Sequence, residues 1–181
     1  VVAETVSAFG RLDVLVNMAS VYRATPVDQL TVADWDAALA VDLRAAWLCS
    51  RAAVPHMRRQ GGGRIVNVTS PGSFRVLPDY VVVGASKAAL EALTRYLAVE
   101  LAAHHIVVNA VSPGPVETGL FRAECPVGSD AEKAVLATVP MGRLAQADEV
   151  AAAVVFLLGD GAAFITGQEL GVDGGGSLAG R

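Results

Sequence analysis

The sequence has few cysteines, few charged residues and no long apolar run, and each shortage excludes a class of protein. Cys49 and Cys125 are the only cysteines among 181 residues. They cannot form a disulfide framework and lie in no Cys-x-x-Cys or Cys/His cluster, so we predict no metal site and free thiols in a reducing cytoplasm. No apolar stretch approaches the ~18 residues of a membrane span, and no signal peptide is visible.

The charge balance points away from polyanionic partners. Fourteen Lys and Arg residues oppose 18 Asp and Glu residues, for a formal net charge of −4. This leaves no basic footprint, so we expect neither nucleic acid nor a membrane as a partner. Apolar residues make up 53% of the chain, which is enough to build the core of one compact domain.

Short β-branched runs alternate with long helical patterns along the chain. The predicted strands are residues 13–17, 64–69, 106–111 and 168–172. The predicted helices are one that ends before residue 10, one from 31 to about 57, one from after 79 to near 103, and one over 147–158. This alternation predicts an α/β fold, a doubly wound parallel sheet with helices on both faces.

The chain begins at Val1, inside a helical pattern and without a Met. We therefore interpret residues 1–181 as the C-terminal portion of a single domain of a longer protein. In sheets of this kind, ligands bind at the carboxyl ends of the strands. The segments to examine are those that follow the predicted strands, namely 17–20, 69–70 and 112–118.

Five motifs in a fixed order carry a family resemblance. They are Asn17-Met-Ala-Ser20, Val68-Thr-Ser70, Gly84-Ala-Ser-Lys87-Ala-Ala-Leu, Val108-Asn-Ala-Val-Ser-Pro-Gly114 and Val172-Asp-Gly-Gly175. Together they resemble the short-chain dehydrogenase/reductase superfamily over essentially the whole chain. The resemblance implies a Rossmann-type domain of which about strands 4 to 7 are present. It also implies that the Gly-rich pyrophosphate turn lies outside this sequence and that residues 14–17 form an exposed sheet edge.

The resemblance implies catalytic roles for Ser70 and Lys87, but the usual family tyrosine is replaced. That tyrosine stands four residues before the lysine, where this chain has Val83. Tyr80 stands seven residues before Lys87, a spacing that is similar to type III enoyl-acyl-carrier-protein reductases. Seven helical residues turn about 700°, so we predict that Tyr80 and Lys87 share a helix face. Tyr80 would stabilise and protonate an enolate, and the nearby ammonium would favour its phenolate form.

The same resemblance implies how a nicotinamide cofactor is held. The matching cofactor-binding residues are Asn17, Ala19, Lys87, Pro113, Gly114, Val116 and Thr118. Lys87 would bind the nicotinamide ribose, and the cofactor would be NADPH, with NADH left open. Asp42 stands where the family usually has an asparagine that orders a water near the lysine. A carboxylate can accept a hydrogen bond there but has lost the amide donor.

Three functional hypotheses remain open at this stage. The first is an NADPH-dependent enoyl-thioester reductase acting on acyl-carrier-protein substrates, with residues 119–145 as a mobile substrate lid. The second is a ketoreductase in which Tyr80 and Ser70 act together on a 3-oxoacyl or secondary-metabolite carbonyl. The third is a catalytically silent subunit that only binds nucleotide or stabilises an oligomer. By resemblance, the final strand and residues 173–176 would lie at the interface of a homotetramer.

Overall fold

A computed structural model describes residues 1–21 and 24–179. Residues 22 and 23 of the predicted loop 18–30, and residues 180 and 181 of the predicted domain, lie outside this described part. The strands are β1 (Val14–Asn17), β2 (Gly63–Val68), β3 (Ile106–Pro113) and β4 (Glu169–Val172). The helices are α1 (Val2–Phe9), α2 (Val32–Ala38), α3 (Ala45–Arg59), α4 (Val81–Leu101), α5 (Gly119–Glu124), α6 (Asp130–Leu136) and α7 (Ala147–Leu158).

The four strands form one parallel sheet in the order β1-β2-β3-β4. Adjacent side chains on a strand point to opposite faces, and the sheet is apolar on both. Ile65 packs with α3 and α4 on one face, where Met57 and Ala98 are buried. Val66 packs on the other face with Leu157 of α7. The predicted doubly wound α/β sheet is therefore confirmed.

The first strand is the exposed edge that the sequence predicted. In the described part of the chain, β1 pairs only with β2. Leu15 packs on the covered face, whereas Val14 and Val16 are 43% and 39% exposed on the opposite face. An uncovered strand edge presents unpaired backbone groups and apolar side chains to its surroundings.

The predicted helix 31–57 is wrong in one respect that bears on the site. Thr31 and Asp34 form a capping box at its predicted start, and the helical path continues to Arg59. Between α2 and α3, however, residues Leu39–Arg44 form a π-helical turn, called the π turn below. A π turn inserts one extra residue and re-aims the side chains around it, which happens often at functional sites.

Two other boundaries differ from the prediction. The third strand was predicted to end at residue 111, but β3 continues through Pro113, which pairs with Val172 of β4. Its missing N–H costs little there because β2 has already ended at Val68. No helix was predicted within residues 119–145, but that stretch contains α5 and α6, whose first residues are capped by the side chains of Thr118 and Ser129.

Candidate active site

Ser70 and Tyr80 meet at the carboxyl end of β2. Ser70 follows that strand after one residue, and Tyr80 is the residue that precedes α4. The Ser70 Oγ and Tyr80 Oη atoms lie 3.1 Å apart, within hydrogen-bond distance. The Ser70 hydroxyl also accepts a hydrogen bond from the Gly72 N–H at 3.3 Å. The two predicted catalytic hydroxyls are therefore brought together by closure of the 70–80 loop.

The ring of Tyr80 lies in a slot that only glycines leave open. A Cβ atom at Gly72 would lie 2.4 Å from Cε1 of the Tyr80 ring. A Cβ atom at Gly84 would lie 2.9 Å from the Gly72 carbonyl oxygen, so the second glycine lets the 70–80 loop approach α4. The inner side of the ring packs on an apolar cluster that includes Val82 and Val83. Backbone on one side and apolar side chains on the other fix the position of the phenol.

The pKa of Tyr80 is raised above its ordinary value. Burial is the main cause; the hydrogen bond with Ser70 opposes it, and the negative charge of Asp42 adds to it. Lys87 is not among the groups that shift this pKa, so its expected support of the phenolate stays a prediction. The prediction of a shared helix face assumed that Tyr80 lies inside the helix that carries Lys87. Tyr80 lies instead at the N-terminal boundary of α4. A neutral phenol at this place is a hydrogen-bond and proton donor.

Lys87 is buried in the second turn of α4, with 4% of its surface exposed. Its ammonium donates a hydrogen bond to the carbonyl oxygen of Val68 at 3.1 Å, at the end of β2. Burial lowers the pKa of Lys87, and the negative charge of Asp42 opposes that effect. An ammonium has three N–H donors, so two remain for a ligand beyond the one bond to Val68.

Asn17 has a role in the fold that the resemblance did not imply. Its Nδ2 atom donates to Asn67 Oδ1 at 2.8 Å and to Ser50 Oγ at 3.3 Å. Asn67 in turn donates to Thr94 at 2.8 Å. This chain of bonds ties β1 and β2 to α3 and α4, so the amide of Asn17 is used inside the protein. Ala19, the other residue predicted there, is exposed, and contact of either residue with a cofactor stays a prediction.

The remaining predicted cofactor residues are Pro113, the last residue of β3, and three residues that follow this strand. The Gly114 N–H donates to the Val172 carbonyl oxygen at 3.0 Å. A Cβ at Gly114 would lie 2.8 Å from the Cα of Asp173, so close packing against β4 explains this glycine. Val116 forms a β-bridge with Ala145. Thr118 accepts a hydrogen bond from the Phe121 N–H at 3.1 Å, which leaves its hydroxyl hydrogen available.

The residues at this edge fit a nicotinamide nucleotide. Lys87 is a buried cation with two spare donors, and Ser112, just before Pro113, has a buried hydroxyl oxygen with no partner in the described part of the chain. Buried polar atoms are nearly always satisfied, so Ser112 favours a polar ligand or water at this edge. Lys87 would hold ribose hydroxyls, and the backbone of 113–118 would hold the carboxamide.

Sequence reasoning missed two parts of this region. Gly72 was not singled out, although its place two residues after Ser70 could have drawn attention to the loop. Helix α6 was also missed, although Ser129 and Glu132 show the Ser-x-x-Glu spacing of a helix start.

Among residues 1–21 and 24–179, no group of three or more His, Cys, Asp or Glu side chains could hold a metal ion. In the same described residues, no helix is both long and apolar enough to cross a membrane.

Comparison with known proteins decides the family. The family model described as Enoyl-(Acyl carrier protein) reductase matches residues 1–177. A 3-oxoacyl-[acyl-carrier-protein] reductase, FabG, of Thermotoga maritima is 37% identical over 175 residues, which are 97% of this chain and 70% of the relative. The chain belongs to the short-chain dehydrogenase/reductase superfamily. Its members here include a protein named D-threitol dehydrogenase of Mycolicibacterium smegmatis, 40% identical over 176 residues, which are 96% of this chain and 66% of the relative.

Solved structures of the superfamily share this architecture. The structure described as ElxO with NADP bound has a TM-score of 0.92 at 31% identity, covering 98% of this chain and 72% of that one. Acetoin dehydrogenase from Enterobacter cloacae has a TM-score of 0.88 at 37% identity, covering 99% and 70%. Within this short-chain dehydrogenase/reductase, the position four residues before Lys87 is Val83, which is 1% exposed and has no titratable group. Tyr80 is therefore the phenol that the fold presents beside Ser70.

Proposed function

We propose that this short-chain dehydrogenase/reductase is a cytoplasmic, NADPH-dependent enoyl-thioester reductase acting on acyl groups carried by acyl carrier protein. The observation that carries the proposal is the place of Tyr80. Its hydroxyl lies 3.1 Å from Ser70 and seven residues before the buried Lys87, while Val83 leaves no phenol at the usual spacing. The free Cys49 and Cys125 agree with a reducing compartment.

Tyr80 would act as the electrophile and proton donor of the reduction. When bound, NADPH supplies a hydride to the β-carbon of the conjugated thioester. Negative charge then develops on the thioester oxygen, where a preorganised donor stabilises it. Because burial raises the pKa of Tyr80, its hydroxyl stays protonated at neutral pH and can donate to that oxygen. The enol that results then gains a proton from solvent at its α-carbon and loses its hydroxyl proton, so the net change is one hydride added at the β-carbon and one proton added at the α-carbon.

Lys87 would orient the cofactor, and the lid would cover the acyl chain. The two N–H donors that Lys87 does not spend on Val68 suit the paired hydroxyls of a ribose. In the lid, Leu120 is 57% exposed and Val127 is 80% exposed. Such side chains offer apolar contact to an acyl chain without polar selection of its length. The cofactor NADP in the structure of ElxO supports the assignment of NADPH over NADH.

One observation favours a ketoreductase as the second candidate. The Ser70 and Tyr80 hydroxyls are close enough to bind a single carbonyl oxygen together, which is the arrangement that reduction of a 3-oxoacyl group needs. The relative from Thermotoga maritima carries the name of such a reductase. The enoyl reductase adds the hydride to the β-carbon of a C=C bond, whereas the ketoreductase adds it to a carbonyl carbon. Tyr80 could donate to the oxygen in either reaction.

The test offers two substrates to the intact protein with NADPH. Crotonyl and acetoacetyl thioesters of acyl carrier protein are compared in the wild type, Tyr80→Phe and Ser70→Ala. We expect the crotonyl thioester to be reduced, and Tyr80→Phe to lower kcat by on the order of 10²-fold, as the loss of one preorganised donor does. Ser70→Ala should cost much less, because the enoyl reaction needs only the Tyr80 hydroxyl at the oxygen.

Each other result assigns a different function. Reduction of the acetoacetyl thioester alone, with large losses in both variants, would establish the ketoreductase. Equal rates for the wild type and Tyr80→Phe would remove Tyr80 from the mechanism. NADPH binding without reduction of either substrate would identify a silent nucleotide-binding subunit. Fluorescence titration of NADPH with each variant separates lost binding from lost chemistry.

We further propose a homotetramer, because α7 is apolar on both of its faces. Val154 and Leu157 pack inward on the sheet, while Val155 and Phe156 on the outward face are 67% and 50% exposed. Beyond its acidic first turn, α7 carries apolar side chains on both faces, and such an outward face is ordinarily covered by other protein. A second copy of the chain is the occupant proposed here, and the number of four copies is taken from the family resemblance. Sedimentation equilibrium of the intact protein should give four copies per particle, and a monomer at micromolar concentration would contradict this.

A further inference from the structure

A buried carboxylate lies behind the proposed active site. Asp42 is in the π turn and is 1% exposed. Burying an ionised carboxylate is costly unless hydrogen bonds and a positive charge compensate it. Its hydrogen bonds are supplied from two sides, by the loop that follows β1 and by α4.

Both oxygens of Asp42 accept a hydrogen bond. Oδ1 accepts from the Val21 N–H at 3.0 Å, and Oδ2 accepts from the Ser86 hydroxyl at 2.8 Å. Ser86 directly precedes Lys87, and its hydroxyl lies equally close, 2.8 Å, to the carbonyl oxygen of Val83. The carboxylate is thereby fixed against the turn of α4 that carries Lys87.

The ammonium of Lys87 is the positive charge on which the Asp42 carboxylate acts. No Lys or Arg nitrogen lies within 4 Å of Asp42 in the described part of the chain, so there is no direct ion pair. The charge of Asp42 nevertheless acts on Lys87 and favours its ammonium form against burial. The other titratable group at this place is the phenol of Tyr80, which is neutral there. Among residues 1–21 and 24–179, the Lys87 ammonium has one hydrogen-bond partner, the uncharged carbonyl of Val68.

We propose that Asp42 is a positioning residue whose fixed negative charge keeps the buried Lys87 protonated, so that its ammonium can hold the nicotinamide nucleotide. This rests on the cofactor role of Lys87 in the proposed function, but not on whether the substrate is an enoyl or an oxo thioester. The π turn is the structural means, because it brings a carboxylate to the Lys87 turn of α4.

The isosteric variant Asp42→Asn can separate charge from hydrogen bonding. An asparagine at 42 could accept from the Val21 N–H and donate to the Ser86 oxygen, while Ser86 donates to Val83. Every hydrogen bond has a replacement, but the negative charge is gone. Since that charge raises the pKa of Lys87, its removal lowers this pKa, and the ammonium is lost at a lower pH. The matched control, Ser86→Ala, removes a hydrogen bond and keeps the charge.

The experiment measures NADPH affinity against pH in the intact wild type, Asp42→Asn and Ser86→Ala by fluorescence titration. We expect the three proteins to bind alike in the acidic part of the range. The alkaline loss of affinity in Asp42→Asn should begin on the order of one pH unit earlier, which is about tenfold in Kd on the falling limb. Ser86→Ala should keep the midpoint of the wild type.

An unchanged midpoint in Asp42→Asn would overturn the proposal, as would an equal shift in Ser86→Ala, which would indicate a structural role. If Asp42→Asn does not fold, Asp42→Ser is a second neutral variant that still offers an acceptor oxygen near Val21. The substrate assay is a separate readout. A shifted NADPH profile in a protein that reduces only the acetoacetyl thioester would refute the enoyl assignment and support the role of Asp42.

Discussion

The catalytic corner (Ser70, Tyr80, Lys87 and Asp42) and the lid are held by different forces. In the corner, Lys87 and Asp42 are buried, and their bonds are to neutral backbone or hydroxyl groups. The segment proposed as the lid, residues 119–145, is held by ion pairs that are partly buried around Arg122 and half-exposed at Arg143. Arg122 pairs with Glu117 and Glu132, and Arg143 pairs with Glu149. Burial and packing fix the corner, whereas the lid depends on contacts that water and salt weaken.

The two regions also respond to pH in opposite ways. In the lid and its anchors, ion pairing favours the charged forms of Glu149 and Arg122: the pKa of Glu149 is lowered to about 2 by Arg143, and the pKa of Arg122 is raised by Glu117. In the corner, burial raises the pKa of Tyr80 and lowers that of Lys87, which favours the neutral forms. Between pH 5 and 9 we therefore expect lid charges to stay constant and changes of function to originate in the corner.

We expect the largest loss of activity from a substitution that disturbs the packing of the catalytic corner. In Gly72→Ala the new methyl group would lie 2.4 Å from the Tyr80 ring, so the ring must move. A displacement of about 1 Å of a catalytic group costs on the order of 10²-fold in rate, and we expect that loss in kcat. Steady-state kinetics with NADPH measures it, with NADPH affinity expected to change little because Lys87 lies elsewhere on α4.

The matched control is another glycine that has room for a methyl group. At Gly161, beyond the end of α7, a Cβ meets only Phe156 Cε2 at an ordinary 3.7 Å. Gly161→Ala should keep the rate of the wild type. A Gly72→Ala protein with unchanged kcat would show that the slot does not position Tyr80, and the contrast with the lid would then lose its main support.

The sequence predicted the sheet well because its signals were local. The β-branched run ahead of Asn67, the capping box at Thr31 and the apolar period of α7 each follow from neighbours in the chain. The spacing of Tyr80 and Lys87 also identified the two residues, since both lie on one continuous stretch. The contacts of the Tyr80 ring could not be predicted in this way, because the slot at Gly72 forms only when the 70–80 loop folds back onto α4.

The parts that could not be predicted depend on contacts between distant segments. Asn17 matched a cofactor motif, but its amide bonds to Asn67, 50 residues away. The π turn at Asp42 has no pattern in the sequence, because its extra residue is set by packing against α4. The pKa of Tyr80 is raised mainly by burial, and burial depends on the whole fold. Local patterns thus give the elements, while tertiary packing sets the chemistry of the side chains.

We expect the smallest effect, a local loss of stability, from a substitution in the lid. Glu132 pairs with Arg122 and also accepts a hydrogen bond from the Gly128 N–H at 2.6 Å. Glu132→Gln keeps an acceptor for Gly128 and removes the charge that pairs with Arg122, so we expect α6 to lose stability locally. Hydrogen exchange of α6 amides should then show less protection, with the temperature of unfolding of the whole protein nearly unchanged.

The control lies in the same helix. Lys133 pairs with Asp130 on the open surface, where the two side chains are 68% and 98% exposed. Lys133→Gln should change protection less than Glu132→Gln does, since exposed pairs three residues apart contribute only about 0.2–0.5 kcal/mol. Raising the salt concentration should reduce the difference in α6 protection between the wild type and Glu132→Gln. Salt screens the Glu132–Arg122 pair in the wild type, and the variant has no such pair to lose. If Glu132→Gln instead lowered global stability and resisted salt, the lid would be held by packing as the corner is. The two regions would then open together rather than separately.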